Sequence, residues 1–243
     1  MEKRRNAFGM LLTAVMGMTA ALCLYSQNRI ALPADSAAEL PAESKYLAMT
    51  FDDGPRLGTT DRLLDGLKQR GASATFFVVG EQAALYPDLI KRMDTEGHQV
   101  GNHTWSHARL EGGDTPDILQ EIQRNETLLS HILEGSGYWI RPPYGMVGMD
   151  VAETMQVPLI KWSVDPRDWE SRNAEQIVKA VLRDIRPNSI VLLHDIHDPS
   201  VDAALELVDR LQEQGYLFVT VEELLRLNGI EPEAGMLYRS GEP

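Results

Sequence analysis

The chain has 243 residues, of which 43% are hydrophobic and 24% are charged, so it is long enough for one sizeable core and too apolar for a disordered chain. Its 36 acidic residues outnumber its 23 Lys and Arg residues, which gives a formal net charge of −13. A surface this acidic repels phosphate backbones, which excludes nucleic acid as a partner. The single cysteine, Cys23, excludes both a disulfide framework and a Cys-rich zinc module.

The N-terminus has the pattern of an export signal. A basic cluster at Lys3–Arg5 precedes an uncharged run of 18 residues from Ala7 to Leu24. This length lies at the lower edge of the range for a membrane-spanning helix, and no small-x-small cleavage site follows it directly. We therefore expect a signal or anchor at residues 1–25, with the N-terminus in the membrane, and a tether at residues 26–44. The rest of the chain is expected outside the cytoplasm, either anchored to the membrane or secreted to the cell wall.

From Lys45 onward, short apolar runs typical of strands alternate with stretches of helical periodicity. Seven runs predict strands: Tyr46–Phe51, Ala74–Val79, Gln99–Asn102, Tyr138–Arg141, Leu159–Ser163, Ser189–Leu193 and Leu217–Val219. The residues from Thr220 to Glu223 have the pattern of a capping box that opens the last helix. Seven βα units predict one parallel α/β domain over residues 45–231, as a small barrel or a doubly wound sheet, with a C-terminal tail at residues 232–243.

Reactive side chains follow five of these predicted strands. In strand order the clusters are Asp52-Asp53, His103 with His107, Arg141–Tyr144, Asp165 with Asp168, and His194. Because the carboxyl ends of parallel strands meet at the same edge of a sheet or barrel, we expect these side chains to lie close together. The sequence therefore predicts one functional site built from five separate parts of the chain.

Two of the clusters have the residue types of a metal site. The adjacent carboxylates of Asp52 and Asp53 repel each other unless a positive group lies between them. His103 and His107 are spaced as two ligands on one helical turn are, although the glutamate of the zincin pattern is missing between them. Taken alone, each cluster is equally consistent with a solvated turn, and it is their combination that indicates function.

The motifs resemble those of the polysaccharide deacetylases, carbohydrate esterase family 4. The stretches TFDDG at 50–54, HTWSH at 103–107, RPPY at 141–144, DPRDW at 165–169 and LLH at 192–194 come in the order of the five motifs of that family. The resemblance covers residues 46–227 and is closest to peptidoglycan N-acetylglucosamine deacetylases. It implies a distorted, incomplete (β/α) barrel. At Ala108 many relatives have proline, and we expect a local change of the loop there without the loss of a ligand.

The resemblance also implies a metal centre. Asp53, His103 and His107 would hold one divalent ion through one carboxylate and two imidazoles, which leaves positions open for water and substrate. Zn²⁺ is the expected ion, with Co, Ni and Mn as alternatives. No organic cofactor is expected.

The resemblance further implies an acid and a base. Asp52 would be the general base, oriented by Arg141, and His194 would be the general acid, held by Asp168. The backbone N–H of Tyr144 would stabilise the oxyanion that forms during hydrolysis.

The implied reaction removes N-acetyl groups from N-acetylglucosamine residues of cell-wall peptidoglycan and releases acetate. Tyr144, Trp169 and Leu192 would bind the substrate, with Trp169 and Leu192 around the acetyl methyl group. The same site also suits chitooligosaccharides, or the acetyl esters of xylan. A silent glycan-binding module is disfavoured because the set of reactive residues is complete, and a phosphoester hydrolase is disfavoured because few basic residues accompany it.

Overall fold

The computed structural model describes residues 44–242, so the predicted anchor and all of the predicted tether except Ser44 lie outside the described residues. Within residues 44–242 the strands are β1 (Lys45–Asp52), β2 (Thr75–Val78), β3 (Gln99–Asn102), β4 (Leu159–Ile160), β5 (Ile190–His194), β6 (Tyr216–Phe218) and β7 (Leu237–Tyr238). The helices are α1 (Thr60–Gln69), α2 (Gly80–Leu85), α3 (Pro87–Thr95), α4 (Thr115–Leu133), α5 (Met149–Ala152), α6 (Asp168–Ser171), α7 (Ala174–Asp184), α8 (Asp198–Glu213) and α9 (Val221–Leu227), with a short 3₁₀ turn at Pro143–Gly145. In this part of the chain, no helix has the length and apolar character needed to cross a membrane.

The strands pair in parallel in the order β3-β2-β1-β5, and β6 pairs with the first half of β1. β4 and β7 form a separate two-stranded ladder. Isolated parallel bridges join Asn102 to Ile140, Ile140 to Leu159, and Val164 to Val191, and so continue the pairing from β3 past β4 to β5. Between β3 and β5, on the side of the described structure that contains β4, the strands are therefore joined by single bridges and not by a continuous ladder. The predicted α/β class and distorted, incomplete (β/α) barrel are thereby confirmed.

Three segments differ from the predicted strands, and the first is β4, which was predicted at Leu159–Ser163 and ends at Ile160. Tyr138–Arg141 contributes only the bridge at Ile140, because Pro142 and Pro143 follow and have no N–H groups with which to extend a ladder. In the segment predicted as a tail, β7 pairs with β4, and the carbonyl of Tyr238 accepts a hydrogen bond of 2.7 Å from the backbone N–H of Lys161. Residues 232–243 therefore contribute to the sheet as well as following the domain.

The side chains of β1 alternate between two environments, as a strand requires. Leu47, Met49 and Phe51 are buried in the main hydrophobic core with residues of helices α1, α3, α7 and α8. Thr50 and Asp52 lie on the other face of the strand, where the side chain of Arg141 bonds to both. The same strand thus anchors the core and carries a carboxylate to the edge where the parallel strands end.

Side-chain caps fix the starts of two helices that cover the barrel. The predicted capping box is confirmed, since the Thr220 hydroxyl accepts a hydrogen bond from the backbone N–H of Glu223 and the Glu223 carboxylate accepts one from the backbone N–H of Thr220. Helix α7 is preceded by Asn173, whose side-chain oxygen accepts a hydrogen bond of 3.0 Å from the backbone N–H of Gln176. Each cap supplies an acceptor to an N–H group that has no partner within its helix.

Candidate active site

A cavity of about 410 Å³ lies at the carboxyl ends of the strands. Eight of the ten predicted site residues line it: Asp52, Asp53, His103, His107, Tyr144, Trp169, Leu192 and His194. The other two, Arg141 and Asp168, are fully buried and hydrogen-bond to Asp52 and His194 respectively. The structure therefore brings all the predicted site residues to one place.

Three of the lining residues form a compact group of metal-ligand types. The Oδ1 atom of Asp53 lies 3.6 Å from Nε2 of His103 and 3.5 Å from Nε2 of His107. One ligand atom from each residue lies within 4.8 Å of the other two. Oδ1 of Asp53 is buried and has no hydrogen-bond partner among residues 44–242. A buried carboxylate oxygen without a donor, facing two imidazole nitrogens, is the arrangement that a divalent cation would satisfy.

The tautomer of His103 is set by its second ring nitrogen. Nδ1 lies 2.7 Å from the carbonyl oxygen of Arg141. Because a carbonyl only accepts hydrogen bonds, Nδ1 carries a proton, and Nε2, which lies on the side of Asp53, is the ring nitrogen that could bind a metal ion. Burial of the His107 ring, together with the neighbouring His103, lowers the pKa of His107. The lower pKa favours a neutral His107 ring, the form of imidazole that binds metal ions.

The backbone at the site departs from the helical turn that the spacing of His103 and His107 suggests. The segment from His103 to His107 contains no helix. Instead Asp53, Thr104, His107 and Tyr144 all have left-handed φ angles, between 60° and 74°. Each such conformation costs a non-glycine residue about 1–2 kcal/mol, so surrounding contacts must impose it, as they commonly do at functional sites.

Asp52 is held by a buried cation. Nη1 of Arg141 donates hydrogen bonds of 2.7 Å to Oδ1 of Asp52 and of 2.7 Å to the hydroxyl of Thr50. Nη2 of Arg141 also donates to the carbonyl of Lys161, at 3.0 Å, and the guanidinium lies over the Phe77 ring, 4.1 Å from its centroid. These contacts fix one oxygen of Asp52. They leave Oδ2, 3.6 Å from Nε2 of His103, without a hydrogen-bond donor in the described part of the chain.

His194 is held by a buried anion. Its Nδ1 lies 2.8 Å from Oδ1 of Asp168, and its backbone N–H donates to Oδ2 of Asp168, also at 2.8 Å. The hydroxyl of Ser200 donates a hydrogen bond of 2.6 Å to the same Oδ2. Burial of the ring opposes protonation of His194, but the hydrogen bond and charge of Asp168 outweigh it and raise the pKa of His194 to about 9. The arrangement favours a protonated imidazole at the cavity.

Aromatic side chains make up much of the cavity wall. Tyr144 and Trp169 are about half exposed, and the Tyr144 ring packs edge-on to His107 with 4.7 Å between the centroids. Trp162 also lines the cavity although the sequence analysis did not single it out. It lies two residues after the end of β4. The predicted strand Leu159–Ser163 contains Trp162, so a rule that selects residues at strand ends does not select it.

Comparison with known proteins places these features in a family. The polysaccharide deacetylase family model matches residues 39–157. The peptidoglycan-N-acetylglucosamine deacetylase PgdA of Listeria monocytogenes is 40% identical over 205 residues, which are 82% of this chain and 43% of PgdA. The chain thus spans about two-fifths of the length of this longer relative.

Shorter relatives match over most of their length. A peptidoglycan-N-acetylglucosamine deacetylase of Bacillus cereus is 38% identical over 205 residues, covering 77% of this chain and 92% of the relative. The structure of the peptidoglycan deacetylase PdaC from Bacillus subtilis superposes with a TM-score of 0.75 at 38% identity, covering 77% of this chain and 93% of that one. On the matched family model and these similarities, the chain belongs to the polysaccharide deacetylase family.

Proposed function

We propose that this domain is a metal-dependent deacetylase that hydrolyses the N-acetyl group of N-acetylglucosamine residues in cell-wall peptidoglycan, yielding an amino sugar and acetate. The observation that carries the proposal is the pairing of Asp52 with a buried cation and of His194 with a buried anion in one cavity. Asp168 raises the pKa of His194 and so keeps a proton on the group proposed as the acid, while Arg141 orients the carboxylate of Asp52 for the role of the base.

Asp53, His103 and His107 are the residues that would hold the metal. One carboxylate and two imidazoles suit Zn²⁺, and also Co²⁺, Ni²⁺ or Mn²⁺. When bound, the ion would supply Lewis-acid polarisation of the acetyl carbonyl and would make the attacking water more acidic. The hydrogen bond from Nδ1 of His103 to the carbonyl of Arg141 keeps that ring oriented for the role.

Asp52 and His194 divide the proton transfers between them. Asp52, with Oδ1 occupied by Arg141, takes the proton of the attacking water on Oδ2. His194, with Nδ1 bound to Asp168, gives the proton of its Nε2 to the departing amine nitrogen. The C–N bond breaks as that nitrogen is protonated, and no covalent enzyme intermediate forms.

Three further residues would contact the sugar and its acetyl group. The half-exposed rings of Tyr144 and Trp169 offer apolar faces to a pyranose ring, and buried Leu192 lines the cavity near the position expected for the acetyl methyl group. The backbone N–H of Tyr144 is the proposed donor to the oxyanion. The relatives described above are peptidoglycan deacetylases, and this supports peptidoglycan as the substrate over chitin oligomers and acetylxylan.

The test is acetate release by the full chain from peptidoglycan, chitin oligomers and acetylxylan, with and without a metal chelator. We expect the highest kcat/KM on peptidoglycan, and loss of activity on chelation that added Zn²⁺ restores. A higher kcat/KM on acetylxylan than on any N-acetylglucosamine polymer would refute the substrate assignment. Activity that survives complete metal removal would refute the metal requirement.

The proposed substrate lies outside the cytoplasm, and the export pattern at residues 1–25 agrees with that location. We propose that this segment stays in the membrane as an anchor and that the described domain lies on the outer face. Fractionation of cells that express the full chain is expected to place the protein with membranes. A mature N-terminus beginning after Ser26 would instead indicate a secreted enzyme.

A further inference from the structure

Arg109, two positions after the HTWSH motif at 103–107, carries a charge that the proposed mechanism does not use. Its guanidinium carbon lies 4.2 Å from the centroid of the Tyr144 ring. Tyr144 lines the cavity and packs edge-on to His107. A cation is therefore stacked on a ring that lines the cavity, and that ring also contacts the candidate metal ligand His107.

The charge of Arg109 is available to a ligand. Its guanidinium donates no hydrogen bond to another group among residues 44–242, and its one ion pair there, with Glu111, is 3.7 Å long. Arg167 lies near Trp169 in a similar way, but its Nε is paired with Glu170 at 2.8 Å. Stacking on an aromatic face leaves the N–H groups at the edge of a guanidinium free, and these match a carboxylate in a two-pronged pair.

We propose that Arg109 binds a carboxylate carried by the polymer beside the sugar that is deacetylated, and so selects anionic peptidoglycan over neutral glycans. This inference rests on the proposed function of the site. In peptidoglycan the neighbouring sugar carries a lactyl ether, whose carboxylate is either free or linked to a peptide with carboxylates of its own. Chitin and xylan backbones carry no such group. On a chain with a net charge of −13, a cation beside the cavity whose one ion pair among residues 44–242 is 3.7 Å long would attract an anion locally.

The test compares Arg109→Gln with a matched control, Arg124→Gln. Arg124 is also exposed and stacked on an aromatic ring, with 3.6 Å between its guanidinium carbon and the centroid of Trp105, but Trp105 is not among the residues that line the cavity. Three substrates are used with the metal-loaded full chain: glycan strands with free lactyl groups, glycan strands with peptides, and chitin tetramer. Thermal unfolding of each variant shows whether it folds like the unchanged protein.

We expect Arg109→Gln to lower kcat/KM about fivefold on a carboxylate-bearing glycan and less than twofold on chitin tetramer, the size of one partly exposed ion pair. The loss should shrink at high salt, and Arg124→Gln should leave all three values within twofold. A loss confined to strands with free lactyl groups, or to strands with peptides, identifies which carboxylate is bound.

Two outcomes would overturn the inference. Equal losses on all three substrates would mean that Arg109 only supports Tyr144 and His107, and no loss on any substrate would mean that it binds nothing. Failure of the proposed function looks different, because the unchanged protein would then release no acetate from any of the three substrates.

Discussion

Asp52 and His194 are register partners on the neighbouring parallel strands β1 and β5. Register partners on parallel strands present their side chains on the same face of the sheet, so the proposed base and acid lie side by side. Arg141 contacts the first and Asp168 the second. Arg141 orients the carboxylate of Asp52, and Asp168 raises the pKa of His194, so one site holds a base in position beside an acid that keeps its proton.

The first prediction separates the two adjacent aspartates. Asp52→Asn keeps the shape of the side chain but cannot accept a proton, so turnover should fall by about 10²–10⁴ while metal content stays unchanged. Asp53→Ala should lose the metal, because two neutral imidazoles hold Zn²⁺ poorly on their own. Metal content by atomic emission, measured beside kcat, checks both. An Asp52→Asn protein that binds no metal, or an Asp53→Ala protein with full occupancy and activity, would show that the roles are assigned wrongly.

The second prediction concerns pH. His194 acts as an acid only while it is protonated, so kcat/KM should decline as the pH rises through its pKa, which the structure raises to about 9. Asp168→Asn removes the charge responsible for the increase and leaves burial, which lowers the pKa. The upper limb of the pH profile should therefore move to lower pH in Asp168→Asn, when kcat/KM is measured between about pH 5 and about pH 10.

A bound divalent ion lowers the pKa of His194 in both proteins, so it leaves the direction of this shift unchanged. Ser200→Ala is the matched control, since it removes only one hydrogen bond to Oδ2 of Asp168 and keeps the charge. Its upper limb should stay near that of the unchanged protein. An upper limb that does not move in Asp168→Asn would contradict the role of Asp168.

The third prediction concerns Asp195, which follows His194 and is almost completely buried. It accepts a hydrogen bond from the hydroxyl of Thr60, while its Oδ1 has no partner among the described residues. Burial raises the pKa of Asp195 to about 7. In the unfolded chain the group ionises near pH 4, so the folded protein binds the extra proton between about pH 4 and about pH 7, and its contribution to stability falls as the pH rises through that window.

Asp195→Asn is neutral at every pH and should not show this loss. Relative to the unchanged protein, its free energy of unfolding should increase by on the order of 3 kcal/mol from about pH 4 to about pH 7 and then stay level. Urea unfolding at several pH values measures the difference. Asp209→Asn is the control, since the hydrogen bond from Arg70 lowers the pKa of Asp209 and moves its titration below this window. If the difference in free energy of unfolding between Asp195→Asn and the unchanged protein does not change with pH, Asp195 is ionised in the folded protein.

The fourth prediction tests the close approach between the loop after β1 and Asp195. A Cβ atom on Gly54 would lie closer than 3.0 Å to both carboxylate oxygens of Asp195. Because Asp195 is buried and has little room to move, Gly54→Ala should lower the free energy of unfolding by about 1–3 kcal/mol. It should also reduce metal affinity, since Gly54 directly follows Asp53.

Gly113→Ala provides the comparison, because its Cβ would meet only Ile118, at an ordinary 3.4 Å. Denaturant unfolding should show a change within about 0.5 kcal/mol for that variant. Equal stability losses for the two glycine variants would show that the contact with Asp195 is not the cause.

The candidate site was largely predictable because its residues lie at the ends of strands. Asp52, His103 and His194 end or directly follow β1, β3 and β5, and parallel pairing carries all three to one edge whatever the details of the helices. The resemblance to a family added the roles of Arg141 and Asp168, whose side chains are fully buried. Ser200 was missed, since it reaches Asp168 from the first turn of α8 and nothing in its spacing from His194 indicates that contact.

The parts of the fold that escaped prediction are the shortest ones. β7 has two residues, too few for any periodicity to show, and it exists because Leu159 and Ile160 of β4 offer it a parallel partner. Tyr138–Arg141 reads as a strand because it is followed by reactive residues and contains apolar ones, yet only Ile140 pairs. The two prolines that make this stretch recognisable as a motif are the residues that prevent a ladder from forming there.

Arg141 joins two functions through its two chemical ends. Its guanidinium donates a hydrogen bond to Asp52, and its backbone carbonyl accepts a hydrogen bond from Nδ1 of His103. The orientation of the proposed base and the orientation of a metal ligand therefore both depend on the position of Arg141. Any insertion in the Pro142–Pro143 loop that displaced this residue would disturb ion affinity and proton transfer together, so natural variation that tunes one of them without the other has to occur elsewhere in the chain.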